Sequence, residues 1–136
     1  MKLTPQSIPD VLLIEPIVHK DKRGYFVETF RQDILDQALG YKINFIQDNE
    51  SESISKGVLR GLHYQSPPYT QSKLIRVIKG KILDVAVDIR QDSPTFGKHA
   101  TVELSEEVIF AYKVDAYFSA LHDEGIAYND KDITID

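Results

Sequence analysis

Residues 81–89 alternate strictly: Leu83, Val85, Val87 and Ile89 fall on one side, Ile82, Asp84, Ala86 and Asp88 on the other. Successive side chains of a strand point to opposite faces, so a period of two commits this segment to β-structure. The first set is wholly apolar and reads as a core face. The second mixes carboxylates with small apolar residues, which fits either an edge open to solvent or the lining of a polar cavity. The prevalence of exposed polar faces favours the solvent reading.

The same signature recurs along the chain. Residues 11–14, 24–29, 43–47, 58–65, 73–78, 99–104 and 108–114 are short and rich in β-branched or aromatic residues. They are broken by turn sequences such as Lys22-Arg23-Gly24, Lys79-Gly80 and Ser93-Pro94. Only residues 30–39 have helical spacing, with Ile34, Leu35, Ala38 and Leu39 one turn apart, Thr29 as the expected cap and Gly40 as the stop. Many short strands beside one short helix predict an all-β sandwich or barrel.

With 136 residues the chain is expected to form a single domain, 1–136, large enough to bury roughly 68 to 70 % of its unfolded surface. A formal charge of −5 and the lack of any lysine or arginine block argue against nucleic acid as a partner. The absence of cysteine removes disulfides and thiolate metal sites. The first ten residues resemble no signal peptide and the apolar runs are far too short for a bilayer, so the expectation is a cytoplasmic protein with no membrane partner.

Candidate chemistry gathers in residues 58–65, VLRGLHYQ, where Arg60, His63 and Gln65 interrupt an apolar run around Gly61. A glycine inside a strand is tolerated at a bulge or where something must approach closely. A lone histidine here reads as a satisfied core residue. Lys73 and Arg76 lie on the next expected strand, however, so Arg60, His63 and Lys73 can face a common space. Cations avoid apolar interiors unless a negative ligand or a carboxylate answers them, and Asp84 and Asp88 are the internal candidates. His19, His63, His99 and His122 lack the paired spacing of a metal-binding strand, so the site is read as free of metal or other cofactor.

Taken together, IQDNESESISKGVLRGLHYQ over residues 46–65, QSKLIRVIKGKILDVAVDIRQDSPTFG over 71–97, DKRGYFVETF over 21–30 and GIAYND over 125–130 resemble the dTDP-4-dehydrorhamnose 3,5-epimerase family over nearly the whole chain. The resemblance implies a cupin-like antiparallel β-sandwich (jelly roll) and a homodimer that exchanges N-terminal strands. It implies a dTDP-linked 4-keto-6-deoxysugar as substrate, inverted at carbons 3 and 5 in dTDP-L-rhamnose biosynthesis. His63 matches the family's base, and an imidazole with a pKa of about 6.5 suits proton abstraction at neutral pH. Lys73 matches the cation beside the ketone and Tyr112 the proton donor across the ring. Arg23, Phe26, Glu28, Gln47, Asn49, Arg60 and Tyr117 match the nucleotide-binding positions, with arginine suited to diphosphate and Tyr117 to stacking on thymine.

Family members continue after VELS through an IPRGFAHGF-like segment, whereas here Leu104-Ser105 runs directly into Glu106-Glu107-Val108. About two strands and their turn, with a second active-site histidine, have no counterpart, nor does the family's later aspartate that orients the base. The alternatives implied are a catalytically impaired nucleotide-sugar binder and a related deoxysugar epimerase or ketoisomerase.

Overall fold

The computed structural model describes residues 1–105 and 110–126, with residues 110–113 described by their backbone alone. These hold eleven strands and one helix, arranged in two compact units, Met1–Ile43 and Asn44–Asp136. Among the described residues no helix is long and apolar enough to cross a membrane.

In the first unit, β1 (Lys2–Pro5) pairs antiparallel with β2 (Leu12–Glu15), Leu3 opposite Ile14. Their loop is closed by the Gln6 amide donating to the Val11 carbonyl at 2.9 Å, over a fully buried Ile8. β3 (Val18–Asp21) and β4 (Gly24–Val27) form a hairpin with a two-residue loop. Asp21 Oδ1 accepts from the Arg23 amide at 2.8 Å, a side-chain turn of the kind aspartate favours. Neither β1 nor β3 is expected from the sequence, since each is only four residues long with one large aliphatic side chain, Leu3 or Val18. Helix α1 (Gln32–Leu39) starts later than its apolar spacing suggests. Arg31, not Thr29, occupies the N-cap and makes no side-chain cap bond; its guanidinium holds Asp33 and Glu28 instead. The helix ends as expected at Gly40, whose φ of 77° is open to glycine at little cost.

The second unit contains β5 (Gln47–Ser51), β6 (His63–Gln65), β7 (Lys73–Val77), β8 (Lys81–Val87), β9 (His99–Ser105), β10 (Phe110–Val114) and β11 (Asp123–Gly125). β10 lies between β5 and β7, β6 pairs with β11, and β8 pairs with β9, all antiparallel. The expected strand over 43–47 is displaced: Ile43 is buried in the first unit and β5 begins only at Gln47. The expected turn through Glu106 and Glu107 lies outside the described residues.

Two corrections matter for the site. The strand expected over 58–65 is reduced to His63–Gln65, and Val58 and Leu59 stand exposed in irregular chain. Gly61, at φ 100°, turns the chain there, so Arg60 and His63 do not share a strand. On β8 the expected division of faces does not hold: Val85 and Val87 on the apolar face are only half-buried, as are Ile82, Asp84 and Ala86 on the other. Leu83 is 65 % exposed, while Ile82 and Asp84 are half-buried and Asp88 is buried. The cause is β9: antiparallel register sets Leu83 opposite Glu103 and Val85 opposite Thr101, while Asp84 faces Val102 and Ala86 faces the buried Ala100. The face carrying Ala100, Val102 and Leu104 must turn inward, and it takes Asp84 with it.

Asp88 repays its burial locally. Its carboxylate accepts from Arg90 Nε and Nη2, both at 2.8 Å, from Ser93 Oγ at 2.5 Å and from Thr95 Oγ1 at 2.6 Å. These bonds, led by Arg90, hold its pKa far below the usual carboxylate range and brace the loop between β8 and β9.

Candidate active site

The candidate site is built from the sheet β5–β10–β7 and the antiparallel strand pair β6–β11. Register aligns Gln47, Val114 and Lys73 in one row and Asn49, Tyr112 and Ile75 in the next. Val114, at the centre of the first row, is 0 % exposed, so this is the inward face of the sheet and Lys73 rises from its margin. The chain leading into β7 is pinned: Gln71 Nε2 donates to the Ala116 carbonyl at 2.8 Å, and the Ser72 amide donates to Asp115 Oδ1 at 2.7 Å. Gln47 Nε2 donates to Asn49 Oδ1 at 2.8 Å, which orders two of the expected nucleotide contacts beside the row that holds Lys73.

On the strand pair, His63 lies opposite Gly125 and Gln65 opposite Asp123. Residues directly opposite share a face, so His63, Gln65 and Asp123 project together, and the bare Gly125 leaves room beside the imidazole. A methyl group at Gly61 would lie 3.1 Å from His63 Nδ1. The close approach that a glycine in VLRGLHYQ signals is therefore made by the histidine ring itself. Gln65, only 4 % exposed, is held at both ends of its amide: Oε1 accepts from the Ser119 amide at 2.9 Å and Nε2 donates to Asp123 Oδ1 at 3.0 Å.

Asp123 of β11 acts on Lys73 of β7 through its charge. Packing around Lys73 pushes its pKa down, while the negative charges of Asp123 and Asp84 pull it back up. Asp84 shows the reciprocal pattern, raised by burial and lowered by Lys73. Lys73 of β7 thus feels the charges of Asp84 on β8 and Asp123 on β11. The sequence expectation paired Asp88 as well as Asp84 with the strand cations; Asp88 instead serves Arg90 in its own loop. Asp123 was missed because β11 is three residues long with an exposed, charged sequence, which offers no strand signal.

The other expected residues lie elsewhere or in other company. In the first unit Arg23 is gripped by Asp21, Nη2 to Oδ2 at 2.6 Å, and the hydrogen bonds from the Arg23 side chain and amide hold the Asp21 carboxyl below its ordinary range. Arg23 and Phe26 line an open groove of about 470 Å³ on the β3–β4 hairpin, with Lys20 and Tyr25. Glu28 lies 3.6 Å from Arg31. In the second unit, Arg60 Nη2 donates to the Glu52 carbonyl at 3.2 Å, and Tyr117 is 67 % exposed. Tyr112 occupies the row between Asn49 and Ile75. Among the described residues no three His, Asp or Glu side chains converge as a metal shell.

The profile of the dTDP-4-dehydrorhamnose 3,5-epimerase family matches residues 5–108. A dTDP-4-dehydrorhamnose 3,5-epimerase of Shigella flexneri is 44 % identical, the match covering 100 % of this chain and 86 % of the relative. That alignment runs over 157 positions against the 136 residues of the chain, so part of the relative has no counterpart here. The crystal structure of the corresponding enzyme from Elizabethkingia anophelis superposes with a TM-score of 0.92 at 37 % identity, covering 100 % of this chain and 85 % of the other. A dTDP-6-deoxy-D-glucose-3,5-epimerase from Legionella pneumophila, solved in complex with dTDP-4-keto-L-rhamnose, gives 0.91 at 38 % identity, covering 99 % and 82 %.

Proposed function

Since the chain belongs to the dTDP-4-dehydrorhamnose 3,5-epimerase family, and so has its all-β, cupin-like fold with one short helix, we propose how its residues carry out that family's reaction. The substrate is dTDP-4-dehydro-6-deoxy-D-glucose and the product dTDP-4-dehydro-L-rhamnose. Carbons 3 and 5 flank the ketone, so loss of either proton leaves an enolate whose negative charge rests on the ketone oxygen. His63 takes the proton. The Lys73 ammonium stabilises the oxygen as its charge develops, usually the larger contribution in such chemistry. Tyr112 returns a proton to the opposite face of the carbon, which inverts it, and the two side chains then re-exchange protons with water. Arg23, Phe26, Glu28, Gln47, Asn49, Arg60 and Tyr117 bind the nucleotide, the arginines at the diphosphate.

The observation that supports this reading is the shared face of His63 and Asp123, with the Asp123 charge reaching Lys73. A base and a cation so related suit an enolate better than either suits hydrolysis. Incubation with the 4-keto sugar in heavy water tests it: deuterium should enter at carbons 3 and 5, and its absence overturns the reaction. Deuterium at one carbon only would assign a single-centre epimerase.

A second reading, a nucleotide-sugar binder without turnover, is favoured by the stretch of the aligned relative that this chain lacks. Calorimetry with dTDP decides it, since binding without exchange supports the binder and absent binding removes both readings. We further propose a homodimer working in the cytoplasm. On the N-terminal hairpin Val18 and Tyr25, 45 and 72 % exposed, share one face and Phe26, 70 % exposed, lies on the other, apolar surface suited to a second copy. Sedimentation at the mass of one chain would refute the dimer.

A further inference from the structure

Among the described residues two polar side chains are buried, Asp88 and Gln65. Asp88 serves its own loop. Gln65 instead bonds residues 54 and 58 positions away, Ser119 and Asp123, and the reaction above gives it no task. Its partners leave the amide one orientation. The Ser119 N–H can only donate and the Asp123 carboxylate accepts, so the Gln65 oxygen must face Ser119.

Ser119 belongs to the loop over residues 115–122, which joins β10 to β11. That loop is tied at both ends to the chain between β6 and β7. At its entry Asp115 Oδ1 accepts from the Ser72 amide and the Ala116 carbonyl from Gln71 Nε2. At its exit the His122 carbonyl accepts from the Ser66 amide at 2.9 Å, and the His122 ring lies 4.5 Å from that of Tyr69. Tyr117 and Phe118 fill the two positions between the bonded Ala116 and the bonded Ser119, and stand 67 and 58 % exposed. Aromatic rings normally bury much of their area. A loop pinned on both sides of two open rings is shaped to present them.

We propose that Gln65 is a positioning residue for nucleotide binding: its amide holds the 115–122 loop to the strand that carries His63, so that Tyr117 is in place before the base arrives. Order set in advance lowers the entropy that binding must supply. The role rests on the reading of Tyr117 as the ring that stacks on thymine; the clamp itself does not.

Amide hydrogen exchange in the full chain reads the clamp, and calorimetry with dTDP reads its purpose. The Ser119 amide should be protected in the wild type. In Gln65→Met, similar in shape but without the acceptor, it should exchange ~10-fold faster, the effect of losing one hydrogen bond. Gln65→Glu keeps an acceptor in either protonation state and should keep the protection, since the exposed Asp123 can turn to water. A wild-type Ser119 amide that exchanges as fast as a free peptide overturns the proposal, whether or not the variants fold. By the same loss, dTDP should bind ~3- to 10-fold more weakly to Gln65→Met and nearly as in the wild type to Gln65→Glu. In a Tyr117→Ala background Gln65→Met should cost nothing more, because the ring to be positioned is gone. A merely structural glutamine would weaken binding equally with and without that ring, and such additivity would overturn the proposal. If the wild-type chain binds no dTDP, the nucleotide reading falls and takes the positioning role with it, while Ser119 protection still decides the clamp.

Discussion

Placing a methyl group on Gly61 tests the geometry of the base directly. In Gly61→Ala the new carbon would lie 3.1 Å from His63 Nδ1 and 3.2 Å from the His63 backbone nitrogen. Both distances fall inside the ~3.5–4.0 Å optimum for such contacts. The ring can swing aside, but the backbone nitrogen cannot, so His63 must shift by some tenths of an ångström. The residue also stays at φ 100°, a conformation that adds about 1–3 kcal/mol for a residue with a Cβ. Unfolding in urea should show that loss as a lower midpoint with unchanged slope. Misplacing a catalytic group by up to an ångström lowers rates by as much as ~100-fold, so proton exchange should fall ~10- to 100-fold while dTDP affinity is retained. A folded variant that exchanges at the wild-type rate would refute the contact between ring and glycine. A variant of unchanged stability would refute the backbone conformation.

Asp88→Ala should lower stability by about 2 kcal/mol, because Ser93 and Thr95 lose their acceptor while Arg90, 56 % exposed, regains water. The pH dependence follows from the depressed pKa of Asp88. Its contribution is complete above the unfolded-state value of about 3.9 and is lost as pH falls below it toward the folded value. The gap between wild type and variant in acid urea melts should therefore narrow by ~1.4 kcal/mol per pH unit below that point. Gln65→Leu removes the clamp on Asp123 and leaves the Ser119 amide without its partner; thermal melts should show a loss of about 1–3 kcal/mol. Lys73→Ala should reduce exchange by ~100- to 1,000-fold, the usual effect of losing one oxyanion-stabilising group, with dTDP binding intact by calorimetry.

Much of the site was legible in the one-dimensional pattern, and the misses share a cause. His63 and Lys73 stood out as polar groups in apolar runs, and the glycine beside His63 signalled a close approach. Asp123 gave no signal, because a three-residue strand of exposed charges, β11, exists only through its pairing with β6. Arg60 was drawn onto the histidine's strand by the apolar residues around it. Val58 and Leu59 are in fact exposed, so hydrophobicity there did not mean pleated structure.

What the amino-acid order determined by itself is the kind of fold and the family, since periodicity and motif are local properties that survive in one dimension. Tertiary structure alone decided which face of β8 turns inward. Alternation defines two faces without saying which is covered, and that choice belongs to β9, whose Ala100, Val102 and Leu104 seek burial and oppose Ala86, Asp84 and Ile82. By that pairing the Asp84 carboxylate, for which the sequence favoured solvent, came to be half-buried.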